Sequence, residues 1–133
     1  MQFSPAVKGH AIRGGDHITI DPSGEVLRLN LDTLIETCDK PPEYIRIQAT
    51  GAEIATQDVM ALVTGSRTVK PIKWGDFQAT SSWTFSTGST KYWSLQNAVY
   101  VGSTSLRVGP QTGTFIVGFK IEKVVSQKTE LSV

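Results

Sequence analysis

The sequence predicts an all-β protein, and three observations carry that prediction. Apolar residues recur with a period of two along most of the chain. Turn-forming Gly, Pro and Asp clusters interrupt these runs at short intervals. Only two windows, 32–36 and 52–63, offer a helical alternative. Roughly eight short strands at intervals of about 8–14 residues mean a sandwich, a jelly roll or a barrel.

Glu25–Leu31 places Leu27, Leu29 and Leu31 on one face, with Arg28 and Asn30 on the other. Asp21-Pro22-Ser23-Gly24 before it reads as a type I turn. Asp32 is expected to cap a short helical turn through Thr33-Leu34-Ile35-Glu36. In Tyr44–Thr50, Ile45, Ile47 and Ala49 face inward. After Gly51 the apolar register passes to Ala52 and Ile54, the pattern of a glycine β-bulge. The β-branched content of Ala52–Val63 favours strand over helix. Trp83 and Phe85 alternate with Ser and Thr. Trp93, Leu95, Val99 and Val101 are expected on the buried face of a strand from Tyr92 to Val101. The last strand sets Phe115, Val117, Phe119 and Ile121 against Thr114, Lys120 and Glu122. The expected organisation is an amino-terminal mobile arm over 1–15, one domain over 16–126 and a tail over 127–133.

Composition removes several classes of function. The 133 residues carry a net charge of +1, which leaves no bulk electrostatic footprint for nucleic acid. No uncharged run approaches the about 18 apolar residues of a membrane span, so no membrane association is expected. The opening MQFSPAVKGHAIRGG has no continuous apolar stretch, so no secretory leader is expected. The single cysteine, Cys38, excludes an internal disulfide and any multi-cysteine zinc site.

The search for chemistry returns little. His10 and His17, near Asp16 and Asp21, match no zinc spacing, and two surface histidines are the plainer reading. No nucleophile elbow occurs, and Cys38 lies between Thr37 and Asp39 with no basic neighbour. Phosphate-cradling glycine motifs are absent. Carboxylate pairing is spatial, and solvated strand faces are the default for the twelve acids. No enzyme activity, cofactor or metal is expected. Aromatic residues crowd the stretch from Trp74 through Phe77, Trp83, Phe85, Tyr92 and Trp93 to Tyr100. Trp74, in Ile72-Lys73-Trp74-Gly75-Asp76, is the candidate for an exposed ligand platform. Lys8 and Arg13, with His10, form a thin basic stretch. Lys120, Lys123 and Lys128 form a second.

The run from Glu25 to Ile54, with Tyr44-Ile45-Arg46-Ile47 inside it, resembles the opening of the single jelly-roll coat proteins of small icosahedral RNA viruses. Gly113–Val125 is similar to that family's final strand. The resemblance implies an antiparallel jelly-roll β-sandwich of about eight strands. It also implies a self-assembling coat subunit of an icosahedral shell, found in virions and in host cytoplasm during assembly. The family's strongly basic arm is missing, so viral RNA contact would be weak and confined to Lys8 and Arg13. The alternative expectation is a β-sandwich that binds a glycan or host receptor, such as a virion projection domain, with Trp74 as its platform. The low charged fraction, 19%, suits a surface that is mostly interface between copies.

Overall fold

The structure, a computed structural model, describes residues 6–125. Six strands are found among them: β1 (Gly9–Ile20), β2 (Val26–Thr37), β3 (Tyr44–Ile54), β4 (Ala79–Ser86), β5 (Tyr100–Val108) and β6 (Phe115–Lys123). One α-helix, α1 (Gln57–Val63), joins β3 to β4, and a 3-10 turn, Trp93–Asn97, joins β4 to β5. All six strands form one antiparallel sheet in chain order. The sheet curls into a half-barrel, so side chains from strands two apart meet on its inner face. Trp83 on β4 and Phe119 on β6, for example, pack edge to face with ring centroids 4.9 Å apart.

Two clusters fill the inner face. At one end the amphipathic α1 inserts Val59 and Leu62 among Leu27, Ile72 and Leu106. Thr56 starts this helix by accepting a hydrogen bond from the Val59 amide at 3.2 Å. At the other end Tyr92, just before the 3-10 turn, and Leu95 on it pack with Ile45, Ala49, Trp83 and Tyr100.

The all-β expectation holds, with two corrections to its detail. Six strands replace about eight, and they share one sheet, whereas a jelly roll divides its strands between two. The reason is local: every connection returns the chain to its immediate neighbour. The Asp21–Gly24 turn does so by a Gly24 amide to Asp21 carbonyl bond of 2.8 Å.

Several elements also differ from expectation. The window 32–37 is strand: Arg46 on β3 grips the Asp32 carboxylate through two bonds of 3.0 and 2.7 Å, holding Asp32 in the ladder. Ala52–Val63 is the end of β3 followed by α1, not a single strand. The expected strand from Tyr92 is a 3-10 turn as far as Asn97, which turns Trp93 out to 59% exposure and buries Tyr92. In β5 it is Tyr100 that faces inward, and Val101 faces out. β1 begins at Gly9, inside the stretch 1–15 expected as an arm. The expected tail, 127–133, lies outside the described residues.

Candidate functional site

The outer face of the sheet carries a trough built from two adjacent cross-strand rows. Register places Arg28, Ala52, Thr80, Ser103 and Lys120 in one row across β2 to β6. The next row runs Asn30, Thr50, Ser82, Val101 and Glu122. Short side chains occupy the middle of both rows, and the longer polar side chains of Arg28, Asn30, Lys120 and Glu122 stand at the ends. That difference in side-chain length makes the depression, which encloses about 1160 Å³. Its floor offers hydroxyls from Thr50, Thr80, Ser82 and Ser103, with the Thr50 and Ser82 oxygens 3.4 Å apart.

Trp74 and Gly75 wall one side of the trough. A bridge pairs Ile72 with Leu106, which fixes where the chain leaves the sheet. The turn Lys73–Asp76 closes through the Asp76 amide and the Lys73 carbonyl at 3.1 Å. The Asp76 carboxylate accepts from the Lys73 amide at 2.9 Å. Gly75 sits at φ 83°, a conformation the third position of a type II turn requires and other residues resist. This turn lays the far edge of the indole over Gly118 of β6, where a Cβ would stand 3.2 Å from Cη2. Trp74 is therefore held at its edge and remains 44% exposed. Arg28, at the β2 end, is held by Asp21 through bonds of 3.1 and 2.9 Å. The Arg28 guanidinium lowers the pKa of the Asp21 carboxyl.

The inner face holds a different grouping between the two apolar clusters. Glu53 points inward and is only 4% exposed. Burial pushes its carboxyl pKa up; the neighbouring Thr104 hydroxyl draws it down and the Asp16 charge adds to the rise. Asp16 on β1 is half-buried, and its pKa is also raised by burial, opposed by the Asn30 amide that it accepts from and by His17. Ser81, two residues along β4, accepts from the Trp83 indole Nε1–H at 2.8 Å. The indole lies over Gly102, which has no side chain to obstruct it.

A third polar group is structural. Lys91 and the Tyr92 hydroxyl both donate to Asp39, and the Asp39 carboxyl falls to about 2 through these bonds and the Thr37 hydroxyl. It ties the loop after β2 to the turn before the 3-10 segment.

Of the residues singled out by sequence, Trp74 reaches a site and the basic pair does not form one. Lys8 lies before β1, where its carbonyl accepts from the Cys38 amide. Arg13 lies within β1 and lines a shallow groove with Asp16, His17, Asp32 and Arg46, where acids balance it. His10 stands 3.8 Å from Glu36, and Cys38 is exposed. No group of three His, Cys, Asp or Glu that could hold a metal occurs among the described residues. Sequence reasoning missed Glu53 altogether. Its signal was there: unbroken alternation from Ile45 through Ile47, Ala49 and Gly51 leads to position 53.

Fold and site together define a half-barrel β-protein with a hydroxyl-floored trough outside and a buried acid inside. Residues 3–124 match the family described as "Protein of unknown function (DUF3237)", and the chain belongs to that family. Neither the curated proteins nor the solved structures contain a match to it.

Proposed function

We propose that the protein binds carbohydrate in the outer trough, without performing chemistry on it. The observation that carries this reading is half-exposed Trp74 beside a floor of four hydroxyl side chains. A sugar ring presents a C–H face and an edge of hydroxyls. The face stacks on an indole, and the edge exchanges hydrogen bonds with Ser, Thr, Arg and carboxylate groups. Four strand spacings separate β2 from β6, about 19 Å, which suits an oligosaccharide better than a single ring. Arg28, Lys120 and Glu122 at the ends of the rows supply charge for discrimination. The test is a glycan panel read by tryptophan fluorescence and isothermal titration, with Trp74→Ala as control. Saturable binding that the variant loses supports the reading. A panel of neutral and acidic oligosaccharides that leaves the wild type unmoved overturns it.

The coat-subunit reading, with its jelly-roll relatives, is supported by a different observation. Val99, Val124 and Val125 are exposed and line one shallow depression where β5 begins and β6 ends. Val101 adds a fourth exposed apolar side chain on the outer face. Such a patch favours contact between copies, although a stable shell contact buries about 2,000 Å² or more. Size-exclusion chromatography with light scattering, then negative-stain microscopy, separates the two. Uniform shells support the coat subunit, and a monomer across salt and pH rules it out.

A further inference from the structure

The sheet ends on two edge strands, β1 and β6, and the two are built differently. β1 carries a register shift between Ala11 and Arg13 and a glycine at φ 89°, Gly14, which together break the regularity of its edge. Sheets use such irregularities to refuse another strand. β6 has none, and its ladder with β5 runs without a shift from Phe115 to Lys123. Backbone bonds fix which groups of β6 remain available. The Gly109 amide donates to the Thr114 carbonyl at 2.9 Å, and the Val124 amide to the Val99 carbonyl at 2.8 Å. Alternation between these two points turns the amides and carbonyls of the even-numbered residues toward β5. Those of the odd-numbered residues, Phe115 through Lys123, point to the open edge, where no strand pairs with them among the described residues.

A second copy of this edge meets it antiparallel about a two-fold axis, and charge selects the register. Lys120 and Glu122 are exposed on the outer face, and neither forms an ion pair among the described residues. A dyad at Ile121 is the one antiparallel register that sets Lys120 of each copy opposite Glu122 of the other. That pair is then a non-hydrogen-bonded one, in which facing side chains come closest. A dyad at Lys120 would set the two ammonium groups against each other, and a dyad at Phe119 would set Glu122 against Ile116. The dyad at Ile121 also places Val125, 76% exposed, against Val117 of the other copy. Val124, 49% exposed, comes opposite Gly118, where the tip of the half-exposed Trp74 indole lies. One operation thereby pairs both charges and covers the apolar side chains of Trp74, Val124 and Val125.

We propose that the protein forms a two-fold dimer by pairing β6 with β6 of a second copy, with the dyad at Ile121. The sheet then runs on from one copy into the other, and the β6 edge is closed in both. Two-fold pairing ends at two copies, so this dimer needs neither a shell nor a bound sugar.

The test measures the mass of the full chain by size-exclusion chromatography with light scattering, from micromolar to millimolar, together with amide hydrogen exchange. A dimer that dissociates on dilution is expected, with the Phe119, Ile121 and Lys123 amides protected in the dimer and exchanging in the monomer. Lys120→Glu or Glu122→Lys alone sets like charges opposite each other twice, and each should weaken the dimer about tenfold. The double variant Lys120→Glu/Glu122→Lys restores both pairs and should return to within about threefold of the wild type. Both positions are exposed, and circular dichroism checks that each variant folds. A monomer at every concentration overturns the dimer, as does a dimer that the single variants leave unchanged or whose three amides exchange freely. A monomer with those amides protected overturns it too, because the edge is then covered from within the chain. Shells that persist in the single variants support the coat subunit and overturn the β6 pairing. A wild-type dimer with the expected charge dependence supports the pairing even where no oligosaccharide binds, so the two readings fail separately.

Discussion

The two faces of this sheet are made by the same strands, one residue out of phase, and they do opposite work. Along β4 the inward residues Ala79, Ser81 and Trp83 are buried, and Thr80, Ser82 and Thr84 between them are exposed. Inside, large rings from distant strands interlock, and stability is concentrated in a few of them. Outside, short hydroxyl side chains lie in rows that only the register assembles. A sheet curled in this way separates what holds it together from what it presents to a ligand. Substitutions should therefore divide sharply by face.

The largest effect should come from Trp83→Ala. It deletes the contact with Phe119 and empties the centre of the cluster formed with Ile45, Tyr92 and Tyr100. It also leaves the Ser81 hydroxyl without the indole that donates to it. A loss of about 3–5 kcal/mol in urea unfolding is expected. Trp74→Ala, the corresponding change outside, should cost about 1 kcal/mol, because its ring is held only along one edge. Equal losses for the two would erase the distinction between the faces.

The next effect sharpens the comparison through pH. Glu53 has its proton affinity raised in the folded state, so the folded chain binds more protons than the unfolded one above the ordinary value of 4.5. Its contribution to stability is fully present below that pH and is lost as pH rises through the raised value. Asp16 acts with the same sign. Glu53→Gln should therefore flatten, without abolishing, the fall in urea midpoint between pH 5 and 8, and should gain on the wild type toward neutrality. Asp39 acts with the opposite sign. Its carboxyl titrates at about 2, so its contribution is lost as pH falls from the ordinary aspartate value of 3.8 toward that figure. A Glu53→Gln curve parallel to the wild type from pH 5 to 8 would mean that the inner acid is solvated.

The same face-by-face division explains what the sequence made legible. Alternation located most strands and assigned Leu27, Leu29, Ile45, Ala49 and Trp83 to the inside, where they are buried. It failed where an expectation about polarity was allowed to override the period. A bulge at Gly51 would have turned Ala52 and Ile54 inward and kept Glu53 in water. The ladders on both sides of β3 run without a shift, so Glu53 is buried and Ile54 is exposed. The 3-10 turn at Trp93 was hidden because Trp93 and Leu95 mimic a strand period over so few residues. Trp74 was visible from its turn, Lys73-Trp74-Gly75-Asp76, which needs only local chemistry. Arg28, Thr50, Ser82 and Lys120 were not, because the trough exists only once five strands are in register. Local features were readable, and features made by pairing distant strands were not.

The smallest effect tests whether the trough depends on the placement of Trp74 as well as on its presence. Gly118 lies on the outer face of β6 beneath the indole, and a Cβ there would stand 2.7 Å from Ser105 Oγ and 3.2 Å from Trp74 Cη2. The serine hydroxyl can rotate away, so the strain falls on the half-exposed ring. Gly118→Ala should leave the unfolding midpoint nearly unchanged, since the alanine restricts the unfolded chain while it displaces a surface contact. The displaced indole should lose part of its stacking on a bound sugar, about 0.5–1 kcal/mol, or about two- to fivefold in affinity. A shift in tryptophan emission, without loss of near-ultraviolet ellipticity from the inner cluster, would show that the ring moved and the core did not. Unchanged sugar affinity alongside that shift would mean that the hydroxyl floor does the binding and Trp74 is only a wall.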